Sequence, residues 1–329
     1  MIQLLSGSTK ERNAITINVY EFLEQTNNFN ISNAIAKTWD VLGRFRHPVC
    51  SISGGSDSDI ILDMVHKLDE DKKVKYIWFN TGLEYSATKK HLEYLENKYK
   101  IEIERVKPVK TIPQCVHEHG LPFMSKLTSE ILESFQRREF NWHDDSKMPI
   151  SYRRWWNNEY KKNSFKINNS PFLKEYIQNN PPTFKISAKC CHYAKKLTAN
   201  RYMREHNYDL SIIGVRKAEG GVRNFGNNCF TIREGLATFR PIFWLLNQDK
   251  EIYKKEFNIR NSDCYEIWGL KRTGCVGCPF GRKILEELEI VKQYEPNMYK
   301  AAWSLFGESY EYTKKFREFQ AENKEANKC

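Results

Sequence analysis

The sequence predicts an α/β fold: a doubly wound, mostly parallel sheet with a helical insertion and a helical C-terminal segment. Short apolar runs alternate with helix-length amphipathic segments. A turn rich in glycine and serine follows the first of these runs, and the alternation lapses in one internal stretch and again towards the C-terminus. With 329 residues, 40% of them apolar and 28% charged, the chain buries the core of one large domain or two modest ones. Collagen, coiled coil and wholesale disorder are excluded.

Ile31, Ile35, Trp39 and Leu42 repeat at helical spacing until Arg46-His47-Pro48 breaks the pattern. Val49-Cys50-Ser51-Ile52 reads as a strand, Ser53 to Ser58 as a turn, and Ile60, Ile61, Met64, Val65 and Leu68 as one face of a helix. The unit then repeats as strand Lys75 to Phe79, loop Asn80-Thr81-Gly82, helix Tyr85 to Tyr99 and strand Ile101 to Val106. Such alternation implies parallel strands joined by crossover helices. Tyr208 to Gly214 supplies another buried strand, and Thr238 to Leu246 opens as a further one. The expected organisation is an N-terminal extension over 1–30, an α/β domain over 31–246 with an insertion at 125–187, and a mainly helical segment over 247–329 around Cys275.

Lys plus Arg outnumber Asp plus Glu by 52 to 41, a formal charge of +11, which favours polyanionic partners such as a nucleotide, a sulfonucleotide or a nucleic acid. No apolar run approaches the ~20 residues of a membrane helix, and the first eight residues lack the basic region of a secretory signal. The expectation is a cytoplasmic chain with no membrane partner. Nine cysteines are few for a disulfide scaffold of this length, so their clustering argues for metal or redox chemistry.

A strand that turns through small residues into a helix gathers backbone N–H groups at the positive helix end, where a phosphate can sit. Ser53, Gly54, Gly55, Ser56, Asp57 and Ser58 fit that need. Neither Gly-Lys-Ser/Thr nor G-x-G-x-x-G is present there, which disfavours the Walker and dinucleotide fingerprints. A plain N-cap turn, capped by Asp57 or Ser58, would use the same residues. Arg216 and Arg223 follow a predicted strand end, where open sheets bind ligands, and guanidinium groups there hold phosphate or sulfate bidentately. Ordinary surface arginines would look the same.

The run Ser53 to Ser58 resembles the PP-loop family of ATP pyrophosphatases, matching its Ser-Gly-Gly-x-Asp-Ser signature without a gap. Phe79-Asn80-Thr81-Gly82-Leu83-Glu84 is similar to the second-strand motif of the phosphoadenosine phosphosulfate (PAPS) reductase branch. The segment Gly214 to Arg223 is similar to that branch's arginine-bearing segment, with Gly220 in place of a serine. The resemblance runs from about residue 32 to 280, minus the insertion. It implies an adenine nucleotide (PAPS, its adenylyl-sulfate relative APS, or ATP) on Ser53, Gly54, Gly55, Ser56, Asp57, Ser58, Thr81, Gly82, Glu84, Lys195, Gly214, Arg216, Glu219 and Arg223. Asp57 is the implied catalytic carboxylate, and Mg²⁺ would join it when ATP is the substrate.

Cys190-Cys191 and Cys275-Val276-Gly277-Cys278 stand apart from the other cysteines. Four thiolates brought together by a fold suit an iron-sulfur cluster or zinc; buried inert thiols, or a set in which Cys229 or Cys264 replaces one of the pair, fit the spacing too. The resemblance to the iron-sulfur type of adenylyl-sulfate reductase implies a [4Fe-4S] cluster on Cys190, Cys191, Cys275 and Cys278. Lys195 would lie beside the cluster or the nucleotide, and Ala194 stands where that family has arginine. The family also uses a nucleophilic cysteine in a tail motif, Glu-Cys-Gly-x-His, which is not found here. Cys329 is the one tail candidate, without the glycine and histidine that follow it there.

Tyr152-Arg153-Arg154-Trp155-Trp156, Tyr160-Lys161-Lys162 and Phe165-Lys166 interleave cations and aromatics as binders of single-stranded nucleic acid do. An amphipathic helix with Trp155, Trp156 and Tyr160 in the core explains the same pattern. The resulting expectation is a PAPS reductase family enzyme that reduces a sulfonucleotide with a thioredoxin-like donor. The alternatives are ATP-dependent adenylylation with sulfur transfer from a donor to tRNA or DNA, and a non-catalytic nucleic-acid-binding protein with a structural metal.

Overall fold

The computed structural model describes residues 18–160, 166–220 and 228–326. Two compact units divide the chain. The first comprises Met1–Ile77, Leu92–Glu104 and Asn207–Asn261; the second comprises Trp78–His91, Arg105–His206 and Ser262–Cys329.

In the first unit the helix expected near Ile31 becomes α2 (Phe29–Arg44), preceded by a short α1 (Val19–Glu24). Asn28 starts α2 by accepting the Ile31 N–H on its side chain, so the helix begins two residues before its first apolar repeat. Ile31, Ala34, Ile35, Val41 and Leu42 are buried, while Trp39, at the edge of that stripe, stays 46% exposed. A six-stranded sheet follows, in the order β3-β2-β1-β4-β6-β5. Its strands are β1 (Pro48–Ser51), β2 (Lys75–Phe79), β3 (Ile103–Val106), β4 (Leu210–Ile213), β5 (Phe230–Arg233) and β6 (Leu236–Phe239). β1 pairs in parallel with β2 on one side and β4 on the other, and β4 pairs in parallel with β6. The fold is therefore mostly parallel α/β.

The strand order places β1 where the chain's winding reverses, the position at which open α/β sheets present ligands beyond their carboxyl ends. β5 returns antiparallel to β6. Glu234 and Gly235 make the connecting turn with φ of 51° and 80°, the left-handed pair a two-residue hairpin requires. α3 (Ser56–Leu68) leaves β1, α4 is Ser86–Tyr99, and α11 (Asn247–Glu256) follows β6. One carboxylate ties this layer internally: Asp63 accepts from Tyr99 Oη at 2.9 Å, Tyr253 Oη at 2.8 Å and Lys67 Nζ at 2.9 Å.

The second unit is mainly helical. It contains α5 (Ile112–His119), α6 (Lys126–Arg137), α7 (Ile150–Trp156), α8 (Leu173–Asn179), α9 (Lys189–Cys191), α10 (Thr198–Glu205), α12 (Asp263–Glu266), α13 (Ile284–Tyr294) and α14 (Pro296–Ala326). A six-residue π-helical stretch, His192–Leu197, joins α9 to α10. The segment 125–187 falls within this unit, and its apolar residues Leu132, Phe135, Trp155, Trp156, Tyr176 and Ile177 build a core with Phe123. A second core gathers Cys190, Cys275, Val276, Leu288, Phe306 and Tyr310. α14 serves both, giving Phe306 and Tyr310 to one and Phe316 to the other. Among the described residues no helix is long and apolar enough to cross a membrane.

Candidate functional site

The first constellation is the loop between β1 and α3. Gly54 takes φ of 68°, a region costly for residues with a Cβ, and this turn delivers the chain to the start of α3. Ser58 closes the loop on itself: its hydroxyl accepts from the Gly55 N–H at 3.0 Å and donates to the Gly55 carbonyl at 2.7 Å. Ser53 Oγ adds a contact to Ser58 Oγ at 3.2 Å. Ser56, 4% exposed, keeps its hydroxyl buried without a hydrogen-bond partner among the described residues.

Asp57 in the first turn of α3 is gripped by two cations. Arg216 Nε lies 2.9 Å from Oδ2, and Lys250 Nζ lies 3.1 Å from Oδ1. Arg216 is only 5% exposed and also donates to Asn247 Oδ1 at 2.9 Å, while its backbone N–H donates to Glu219 Oε2 at 3.1 Å. Gly214 brings the end of β4 against this turn. A Cβ built there would stand 3.0 Å from the Asp57 carbonyl oxygen and 3.2 Å from the Ser58 nitrogen. The expected residues Ser53 to Ser58, Gly214, Arg216 and Glu219 thus converge; Asn247 and Lys250 are additions the sequence did not announce. Arg223 lies outside the described residues.

The second constellation belongs to the second unit. Cys190 and Cys191 are adjacent, and each acts on the titration of the other. The Cys190 S–H, with the Lys126 and Lys195 ammonium groups, holds Cys191 down to about 6 against the effect of burial. Cys190 rises correspondingly, because its proton serves its neighbour and because it is buried. Burial pushes Cys278 up to about 12 and raises Cys275, whose rise Lys195 and Thr81 oppose. The thiolate charge of Cys275 is the largest influence raising Lys195, and Cys191, Cys278 and Glu84 add to it. The four thiols and one lysine therefore form a single electrostatic group.

Thr81, Gly82 and Glu84, which the resemblance implies for nucleotide binding, sit beside this group. Gly82 turns at φ of 89°, and Glu84 folds back to accept the Thr81 N–H at 2.8 Å, the Gly82 N–H at 3.1 Å and the Thr81 hydroxyl. Thr81 Oγ1 is 3.6 Å from Cys275 Sγ, and the Val276 N–H donates to the Leu83 carbonyl at 2.9 Å. The π-helical register after Cys191 places Lys195 among the thiols; such stretches recur at functional sites.

Of the other cysteines, Cys264 is buried in the same core and raised to about 11 by burial, whereas Cys229 belongs to the first unit. Cys115 of α5, which the sequence did not single out, is raised first by burial and then by the charges of Glu118 and Cys191. Among the described residues no three Cys, His, Asp or Glu side chains are drawn together as one bound ion would hold them. The chemistry of the donors, four soft thiols with two nearby ammonium groups, fits an iron-sulfur cluster as well as zinc.

Trp155 and Trp156 are 3% and 1% exposed, so neither ring offers a stacking face, and Tyr160 packs against the same core. Arg153 and Arg154 stand on the last turn of α7. Lys161, Lys162, Phe165 and Cys329 lie outside the described residues.

Residues 47–134 match the phosphoadenosine phosphosulfate reductase domain family. That stretch runs from the start of β1 into α6 and carries both the serine-glycine loop and the Asn80 to Glu84 turn; the four cysteines fall outside it. No curated protein matches the chain. Among the solved structures similar to it are three from different enzymes. A PAPS reductase from Candida auris, a phosphate complex, has 14% identity and a TM-score of 0.44 over 80% of this chain and 98% of its own. The U34-tRNA thiolase NcsA from Methanococcus maripaludis, with its [4Fe-4S] cluster, has 12% identity and a TM-score of 0.37 over 89% and 79%. The NH3-dependent NAD synthetase from Campylobacter jejuni, with a nitrate ion, has 12% identity and a TM-score of 0.36 over 90% and 97%.

Proposed function

We propose that the chain is an adenine-nucleotide-dependent enzyme of sulfur chemistry. It seats its ligand's phosphates on Ser53 to Ser58 and holds a [4Fe-4S] cluster on Cys190, Cys191, Cys275 and Cys278. The observation that carries this reading is the gathering of four thiols in one core, from segments more than eighty residues apart in sequence, with Lys195 beside Cys191, Cys275 and Cys278. Bound there, such a cluster supplies an iron and sulfide centre whose potential responds to nearby charges and hydrogen bonds. The chain's own share is defined: Lys195 and Lys126 offset thiolate charge, Thr81 and Glu84 brace Cys275, and Gly54 and Gly55 let phosphate approach the backbone.

The reaction favoured by the family segment is reduction of a sulfonucleotide. A thiolate attacks the sulfate sulfur, the bond from sulfur to the phosphate oxygen breaks, and the nucleotide leaves as its phosphate. A thiol of a thioredoxin-like dithiol then attacks the resulting S-sulfonate and releases sulfite, the dithiol supplying two electrons and becoming a disulfide. Cys329 takes the attacking role in this scheme.

The completeness of the Ser53 to Ser58 signature favours a second reading. An acceptor oxygen attacks the α-phosphorus of ATP, pyrophosphate leaves, and a donor's sulfur displaces AMP from the activated carbon of tRNA or the activated phosphorus of DNA. For Mg²⁺ to join Asp57 in that case, the carboxylate must give up Arg216 or Lys250.

Anaerobic incubation with PAPS, APS or ATP tests both. Sulfite formed from a sulfonucleotide with a dithiol, and lost in Cys329→Ser, is the result expected of the first reading. Pyrophosphate and AMP formed from ATP with no sulfite selects the second, and no turnover or binding of any adenine nucleotide overturns the proposal.

A further inference from the structure

We infer that Lys250, on α11, is a phosphate-binding residue of the loop site, directed at the polyphosphate portion of the ligand. The inference deepens the nucleotide reading above and rests on it for the adenine moiety alone. It begins from charge placement. The start of α3 carries the positive end of a helix dipole, equivalent to about half an elementary charge, which is a poor place for cations. Yet Arg216 and Lys250 are both brought there, against the single carboxylate of Asp57. The other first-turn acid, Asp59, is about 200° further round the helix, and its charge acts on Tyr99. Glu219 accepts the Arg216 backbone N–H but is itself exposed, so water screens its charge.

Lys250 is held in position. Its neighbour Asp249, 1% exposed, accepts from Asn28 Nδ2 at 2.9 Å, Asn30 Nδ2 at 3.0 Å and the Leu246 N–H at 2.8 Å. These bonds fasten the first turn of α11 to the start of α2. A second, independent observation points to a ligand at the same place: the Ser56 hydroxyl, in the first position of α3, is buried and without a hydrogen-bond partner among the described residues. Buried polar groups normally find partners. Two cations on one carboxylate, a positive helix end and an unused hydroxyl together make a site for an anion bearing several charges, such as a tri- or pyrophosphate group.

The test is a calorimetric titration of the full chain with tripolyphosphate, ATP and adenosine, in wild type, Lys250→Gln and Lys250→Arg, with thermal melts to confirm that each variant folds. Lys250→Gln should weaken tripolyphosphate and ATP about tenfold or more and leave adenosine unchanged, while Lys250→Arg restores most of the loss. Unaltered ATP affinity in Lys250→Gln, or a parallel loss for adenosine, overturns the inference and leaves the nucleotide reading standing. Tripolyphosphate binding that depends on Lys250, with no binding of ATP, upholds the inference and removes the nucleotide reading. A wild-type chain that binds neither removes both.

Discussion

The serine-glycine loop and the cysteine group differ in how their parts are assembled. The loop is written in one stretch, Ser53 to Ser58, and its geometry follows from a strand, one left-handed glycine and a helix start. The cysteine group draws Thr81 to Glu84, Cys190 to Lys195 and Cys275 to Cys278 from three segments. In the loop, the Ser58 hydroxyl and the Gly55 backbone satisfy one another, with the Ser56 hydroxyl left over. In the cysteine group, by contrast, burial raises Cys275 and Cys278, while Cys190 and two ammonium groups lower Cys191. A contiguous site is complete once its backbone forms, whereas a dispersed thiol site holds repulsion that a bound cation or cluster relieves.

The largest expected effect separates packing from binding in the segment that looked like a nucleic-acid surface. Trp156→Ala removes a fully buried indole that touches Phe135 and Trp142 and should cost about 3–5 kcal/mol in denaturant unfolding. Unchanged stability with lost binding to single-stranded nucleic acid would instead give the ring an interface role. Next, Glu84→Gln weakens the bonds that brace Thr81 and Gly82 beside the cysteines, at a cost of about 1–3 kcal/mol. The same variant should lower cysteine-dependent metal retention while leaving tripolyphosphate binding intact. Loss of tripolyphosphate binding alone would return the turn to nucleotide service.

Gly54→Ala should cost about 1–2 kcal/mol, because the loop needs a left-handed residue there, and it should weaken nucleotide binding without altering bound metal. The smallest effect is a pH dependence. Burial lowers His66, whose Nε2 has no partner among the described residues. Its folded value therefore lies below the unfolded value of about 6.5, the unfolded chain binds more protons, and stability falls as pH drops through 6.5. Unfolding midpoints at pH 7.5 and 5.5 should differ less in His66→Asn than in wild type; an equal difference would assign the dependence elsewhere.

What the sequence disclosed follows the same division. β1, β2, β4 and the helices around them were legible because apolar periodicity and a glycine turn are local signals. β5 was not read, although Glu234-Gly235 between two strand-like runs is a hairpin signal of its own. Lys250 and Asn247 were invisible, since only the return of α11 to the start of α3 gives them a role. The π-helical register after Cys191 has no single-sequence signature, and the likeness of Thr81 to Glu84 to a nucleotide motif gave no hint of its contact with Cys275. The tryptophans at 155 and 156 suited two patterns equally, and burial decided between them.

The central claim is that Cys190, Cys191, Cys275 and Cys278 hold an iron-sulfur cluster. Its most direct test is the iron, acid-labile sulfide and zinc content of anaerobically purified protein, beside the Cys275→Ser/Cys278→Ser double variant. The account expects about four irons and four sulfides per chain, as a [4Fe-4S] cluster contains, and near-total loss of both in the variant. Stoichiometric zinc, or iron that survives the double substitution, would contradict it.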